Sequence, residues 1–131
     1  MLANINMDYM DRFGTMTPPS GVYNNTQMEE NGWTALGLAA ARLFLPQHPQ
    51  AEAWTRHAAR WMFATATMPQ DSSNLAVVAD GKTAADLCAR IYTTLPDGMA
   101  ENHGIVHPSY LGSGVNYMGS TALQYALFGE T

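Results

Sequence analysis

The sequence predicts an all-α chain that consists mainly of helical hairpins. Two neighbouring stretches, about residues 31–45 and 50–68, carry apolar residues at helical spacing, and only the short turn 46–49 joins them. A further helical stretch covers residues 109–128. Of the 131 residues, 47% are hydrophobic and 13% are charged, which is typical of a folded domain and not of a disordered chain.

The first predicted element is a short, Met-rich helix over residues 8–13. It ends in a segment where Pro18 and Pro19 stand between Gly14 and Gly21, and these residues oppose regular structure. A turn or extended loop therefore follows this helix.

The next two stretches predict an antiparallel pair of helices. Residues 31–45 are apolar on almost every side, which is typical of a helix that is buried on several sides, with Asn31 as its cap and Pro46 as its stop. Residues 50–68 are amphipathic. Their predicted inner face is Trp54, Ala58, Trp61, Met62, Thr65 and Met68, whereas Glu52, Arg56 and Arg60 lie on the other side, the first two at the spacing of an ion pair.

The segment after this hairpin predicts smaller elements. Residues 75–78 favour a brief strand, Asp80 and Gly81 a turn, and Thr83 the cap of a short helix that reaches Ile91. Residues 94–108 show no periodicity and are interpreted as a polar loop.

The last helix, over residues 109–128, contains three glycines. Gly112, Gly114 and Gly119 each weaken a helix by up to ~1 kcal/mol relative to alanine, so they either permit a close approach or break the helix near Gly114. Its predicted apolar set is Tyr110, Val115, Met118, Ala122, Tyr125 and Leu127.

Charge and motifs exclude several classes of function. Six Lys and Arg against eleven Asp and Glu give a net charge of -5, and without a basic run a nucleic-acid surface is disfavoured. Cys88 is the single cysteine, so an internal disulfide and a CxxC redox site are excluded. No apolar run approaches the ~20 residues of a membrane span. Nucleophile-elbow, phosphate-loop and dinucleotide motifs are absent too.

Three clusters could carry chemistry. In the first, residues 29–33, capping of a helix is the favoured interpretation, since Glu29, Glu30 and Asn31 suit a helix N-terminus. The second, residues 101–110, supplies a base, an amide and a proton donor, although histidines that only hydrogen-bond the loop are an open alternative. The third contains Tyr117 and Tyr125, which at this spacing are more typical of a core. We expect neither a metal nor a cofactor.

Three segments, residues 29–33, 43–54 and 102–110, resemble heparinase II/III-like bacterial polysaccharide lyases, and the Asn-His-Gly and His-Pro-x-Tyr parts of the last are the most distinctive. The resemblance implies a segment of an incomplete (α/α) toroid with long polar loops, an acidic polysaccharide substrate cleaved by β-elimination, and a periplasmic or secreted location. Because a toroid needs more helices than this chain can hold, we expect residues 1–131 to be a single partial domain of a longer protein. Residues 1–8 do not resemble a signal peptide, so an export signal is expected outside this chain.

The resemblance also implies roles for individual residues. His103 would be the base, and Tyr110 would donate a proton to the leaving oxygen or act as the base itself. Asn31 and Asn102 would neutralise the substrate carboxylate. The expected substrate-binding residues are Glu30, His107, Trp33 and Tyr117, with His107 orienting a catalytic group and Glu30 holding His103 or a sugar hydroxyl.

Two other functions are predicted as alternatives. A toroid glycoside hydrolase would use a carboxylate pair, for which Glu30 and Glu101 are candidates. A non-catalytic carbohydrate-binding or interaction module would use exposed aromatic side chains, and its candidates are Trp33, Trp54, Trp61 and Tyr23. Because a net charge of -5 opposes an acidic polymer, the lyase needs arginines from the rest of the longer chain or a less charged substrate.

Overall fold

The computed structural model describes residues 28–79, 81–88, 93–103 and 105–128. The predicted helix over residues 8–13 and Tyr23 lie outside these residues. The described chain is mostly helical, which confirms the all-α class. Its helices are α1 (Met28–Phe44), α2 (Ala51–Thr65), α3 (Ala84–Cys88) and α4 (Pro108–Phe128), with a 3-10 helix at Pro69–Ser73. Two small antiparallel hairpins join β1 (Val77–Ala79) to β2 (Lys82–Thr83) and β3 (Glu101–Asn102) to β4 (Ile105–Val106).

Helices α1 and α2 form the predicted antiparallel hairpin. At one end, Asn31 Nδ2 donates a hydrogen bond to the Ala64 carbonyl oxygen over 3.2 Å. At the other end, Arg42 Nη2 lies 3.7 Å from Glu52 Oε1. The early part of α1 therefore faces the late part of α2. No helix of the described residues is long and apolar enough to cross a membrane.

The core lies between these two helices, and the predicted inner face of α2 forms most of it. Trp54 and Trp61 are completely or almost completely buried there. The cluster consists of Ala35, Leu38, Ala51, Trp54, Ala58 and Trp61, with Met62 packed against its edge. The tryptophans supply the largest buried apolar surfaces, so they dominate the stability of this hairpin.

The predicted ends of the two helices need correction. Helix α1 begins at Met28, so Asn31 is not its cap but a fully buried residue inside the helix, and Glu29 and Glu30 occupy the first turn. Helix α2 ends at Thr65 and not at Met68, because Met68 precedes Pro69 and is extended, as a residue before proline prefers. In addition, Glu52 lies next to Arg42 in α1 and not in the predicted pair with Arg56.

A compact element of hairpin and helix follows α2. Strand β1 lies near the predicted position, and Gly81 in the turn has a φ of 70°. Thr83 caps α3 as predicted: its Oγ1 accepts from the Asp86 backbone N–H, and Asp86 Oδ2 accepts from both the N–H and the O–H of Thr83. These hydrogen bonds lower the pKa of Asp86 from its ordinary value of 3.8.

Helix α4 is continuous through all three glycines, so the predicted alternative of a break near Gly114 is wrong. A Cβ at Gly114 would lie 2.7 Å from Met28 Sδ, which shows that this glycine permits a close approach to α1. The predicted apolar set is partly wrong, because Val115, Ala122 and Leu127 are exposed. The helix has no charged residue, so apolar residues occur on its exposed side as well and their periodicity does not identify the buried side.

Candidate active site

The β3–β4 hairpin presents His103 at its tip. Residues 94–108 were predicted to be a loop, but Glu101 pairs with Val106 and Asn102 with Ile105. His103 therefore occupies the first position of a two-residue turn and has a φ of 53°. The common two-residue hairpin turns require a positive φ at this position, which a histidine adopts only at an energetic cost. The turn leaves the side chain of His103 60% exposed.

Asn102 connects this hairpin to the first turn of α1. Its amide nitrogen donates to both carboxylate oxygens of Glu30, over 3.0 Å to Oε2 and 3.3 Å to Oε1. Its Oδ1 accepts from the backbone N–H of His103 over 3.1 Å. Asn102 is fully buried, and its single amide group hydrogen-bonds both the Glu30 carboxylate and the backbone of His103.

Glu30 and Tyr110 are the neighbours of the His103 ring. Nε2 of His103 lies 3.4 Å from Glu30 Oε1, and the Tyr110 ring meets the His103 ring edge to face with centroids 6.3 Å apart. If the proton of the neutral ring is on Nε2 and faces the carboxylate, Nδ1 carries the free lone pair. The structure thus brings together His103, Tyr110, Asn102 and Glu30, four of the residues that the sequence analysis named as site candidates.

His107 has a structural role at the start of α4. Its Nδ1 accepts from the backbone N–H of Ser109 over 3.1 Å and lies 2.6 Å from the Ser109 hydroxyl oxygen. This is the geometry of a helix cap, since Pro108 opens the helix and Ser109 is its second residue. The His107 ring also contacts Tyr110 edge to face at 6.3 Å, so it helps to orient that phenol.

Asn31, predicted to neutralise a substrate carboxylate, belongs to the core. Its Nδ2 donates to the Ala64 carbonyl oxygen, which also accepts from Thr93 Oγ1 over 2.8 Å. Because Asn31 is fully buried, its amide is not accessible to a ligand from solvent.

Trp33 and Tyr117 form an aromatic surface next to this cluster. Their ring centroids are 6.1 Å apart at an interplanar angle of 40°, and Trp33 is 59% exposed. Trp33 follows Glu30 by three residues, so both lie on the same side of α1. The other two tryptophans that were expected to be exposed, Trp54 and Trp61, are buried in the core, because the amphipathic pattern of α2 directs them inward.

The sequence analysis did not identify Ser109 as the partner of His107, although a His-Pro-Ser sequence at the start of a helix is compatible with capping. Among the described residues, no group of three or more His, Cys, Asp or Glu side chains could hold a metal ion.

Comparison of the chain with protein-family models, with curated proteins and with solved structures finds no match.

Proposed function

We propose that the cluster of Glu30, Asn102, His103 and Tyr110 is the acid–base centre of a polysaccharide lyase of the heparinase II/III-like type, to which this chain contributes a segment of an (α/α) toroid. The observation that carries the proposal is the connection between α1 and the hairpin: the Glu30 carboxylate meets an amide 72 residues further along the chain, and the imidazole and the phenol that follow this amide complete the cluster. His103 is exposed where a substrate could reach it.

In β-elimination, a base removes the proton next to a carboxylate, and the electron pair forms a C=C bond as the glycosidic oxygen leaves. In the proposal, Nδ1 of His103 takes the proton, and Glu30 stabilises the resulting imidazolium through Nε2. The Tyr110 hydroxyl then donates a proton to the leaving oxygen. Asn102 acts through Glu30 and is a positioning residue, because its amide is already used in the hydrogen bonds to that carboxylate.

The described cluster contains no group that would neutralise the substrate carboxylate. Asn31 and Asn102 use their amides elsewhere, and no Lys or Arg of the described residues contacts His103 or Glu30 in an ion pair or hydrogen bond. A charged uronate therefore needs a donor from another part of the protein, whereas its methyl ester does not, because the developing enolate then starts from a neutral group.

The test is an assay of the protein that contains this segment on polyuronates, on their methyl esters and on a neutral polysaccharide. We expect an unsaturated uronate product, detected by its ultraviolet absorbance and by mass spectrometry. H103A should lower kcat by about 10²-fold or more, as the loss of a general base does, and H107A serves as the matched control with a smaller loss. Full activity of H103A would contradict the proposal.

The product also separates the lyase from a glycoside hydrolase, which would give a reducing end without unsaturation. The hydrolase alternative needs Glu30 and Glu101 on either side of the bond. Glu101 is only 5% exposed, so it is poorly placed to meet a sugar. This burial favours the lyase over the hydrolase.

The exposed pair of Trp33 and Tyr117 favours a second candidate function, a non-catalytic carbohydrate-binding module. Sugar rings bind to exposed aromatic faces through apolar contact, and Trp33 offers such a face beside the cluster. In affinity electrophoresis with a polysaccharide in the gel, this function requires W33A to abolish retardation and H103A to retain it. Loss of binding only in H103A would exclude the module.

A further inference from the structure

A cavity of about 500 Å³ lies on the side of the molecule formed by α2, the β1–β2 hairpin and α3. None of the residues that line it belongs to the cluster around His103. The lining residues are Arg56, His57, Ala59, Arg60 and Phe63 of α2, Val78 and Lys82 of the hairpin, and Leu87 of α3. A cavity of this size suits a small molecule.

Positive charge is concentrated in this cavity. The chain has six Lys and Arg and a net charge of -5, yet three of the six, Arg56, Arg60 and Lys82, line the cavity. Arg56 and Arg60 are one helical turn apart on the same side of α2, where like charges repel each other. Among the described residues that line the cavity, none is an Asp or Glu. A set of cations held together against repulsion is stabilised when an anion binds between them.

Two carboxylates lie near these cations, and each of them has another polar partner. Glu52, one turn before Arg56, lies next to Arg42 of α1. Asp86 attracts Lys82 electrostatically, but its carboxylate accepts hydrogen bonds from the N–H and the O–H of Thr83. Within the described ranges of the chain, no carboxylate forms an ion pair with Arg56, Arg60 or Lys82.

The cavity also has an apolar wall. Phe63, Val78 and Leu87 line it together with Ala59, and Val78 is still 48% exposed. Inorganic phosphate or sulfate would leave this wall uncovered, whereas an organic molecule with a ring or an aliphatic body would cover it. Burial of that apolar surface would add to the attraction between the charges.

We propose that this cavity binds a small organic anion that carries two or more carboxylate, sulfate or phosphate groups on an apolar or ring-shaped body. Arg56 and Arg60 bind acidic groups at one side and Lys82 binds one across the cavity, while the ring lies against Phe63. The guanidinium groups suit such oxyanions because each offers several N–H donors in a plane. The site does not depend on the proposed lyase activity.

The test is isothermal titration calorimetry at low ionic strength with benzene-1,3,5-tricarboxylate. Its control ligand is 1,3,5-tris(hydroxymethyl)benzene, which has the same ring and no charge. We expect binding of the tricarboxylate alone, weakened by added salt because the cations are partly exposed. The R56Q/R60Q variant should raise Kd about tenfold, which corresponds to a loss of about 1.4 kcal/mol of binding free energy, because two partly exposed cations are removed from the cavity.

Matched variants separate a site from general electrostatic attraction. A122E lowers the net charge by one, as R60Q does, but Ala122 is an exposed residue of α4 that does not line the cavity, so its Kd should stay within about twofold of the wild-type value, whereas R60Q weakens binding more. F63A should weaken the binding of the tricarboxylate and leave the binding of inorganic sulfate unchanged. Circular dichroism checks that the variant is folded. Equal effects of A122E and R60Q, equal binding of the uncharged triol, or no binding of the tricarboxylate would each overturn the proposal.

Discussion

Replacement of Gly32 by alanine is the sharpest test of the packing between α1 and α4. A Cβ at this position would lie 2.8 Å from Tyr117 Cβ and 3.2 Å from Tyr117 Cδ2. Ordinary contacts of a Cβ begin at 3.4 Å, so the gap has to widen by 3.4 - 2.8 = 0.6 Å. Because Tyr117 Cβ is attached directly to the backbone of α4, a side-chain rotation cannot provide this movement and the two helices have to separate.

Two opposing effects determine the size of the change. Alanine is favoured over glycine inside a helix by up to about 1 kcal/mol. Overpacking costs about 1–3 kcal/mol, and the upper end applies where the clash is with an atom next to the backbone. We therefore expect Gly32→Ala to lower the free energy of unfolding by about 2 kcal/mol.

Urea unfolding followed by far-ultraviolet circular dichroism measures this difference, and Gly119→Ala is the matched control. Gly119 is an exposed glycine of α4, and a Cβ there would meet nothing within 4 Å. Its replacement should raise the free energy of unfolding by up to about 1 kcal/mol. If Gly32→Ala is as stable as Gly119→Ala, the close approach of α1 and α4 is refuted.

Three further predictions concern the turn, the tryptophans and the cap of α3. His103→Gly should abolish the proposed lyase activity but should not lower the free energy of unfolding measured in urea. Glycine adopts a positive φ freely, whereas histidine adopts it at an energetic cost. Trp54→Ala should cost about 3–5 kcal/mol, whereas Trp33→Ala should change the free energy of unfolding by less than about 0.5 kcal/mol, because only the first side chain is buried. Since the pKa of Asp86 is lowered in the folded protein, its capping contribution is present above its ordinary value of 3.8 and is lost as the pH falls through the lowered pKa. Hydrogen exchange at the amides of Thr83 and Asp86 should therefore become faster in Asp86→Asn at neutral pH, and a wild-type rate would contradict the cap.

The sequence predicts the helical hairpin well because local pattern and tertiary packing agree there. Trp54 and Trp61 recur at helical spacing and are both buried, and Pro46 ends the preceding helix close to the expected residue. The cap of α3 was also predicted, since Thr83 and Asp86 are three residues apart and bond to each other locally. In both cases the residues that determine the local structure lie within a few positions of one another in the chain.

Predictions that depended on distant contacts were less successful. Asn31 has the chemistry of a cap, but its hydrogen bond to Ala64, 33 residues away, places it in the core. The exposed side of α4 could not be distinguished from its buried side in the sequence, because that helix has no charged residue, which would prefer the side that faces solvent. The contact between Glu30 and Asn102 spans 72 residues, and only the resemblance to a family placed the two in one site.

The distribution of positive charge relates the two proposals to each other. Of the six cationic residues, Arg56, Arg60 and Lys82 line the cavity beside α2, and Arg42 lies against Glu52. The cluster around His103 instead contains Glu30, whose negative charge opposes the approach of a second carboxylate. Within the described residues, the cluster around His103 therefore has groups that can move a proton but no Lys or Arg that would attract a polyanion, whereas Arg56, Arg60 and Lys82 give the cavity the charge to attract an anion. For this reason the lyase proposal predicts that methyl-esterified uronates react better than free uronates. The cavity proposal predicts the reverse for its own ligands: charged molecules bind better than uncharged ones of the same shape.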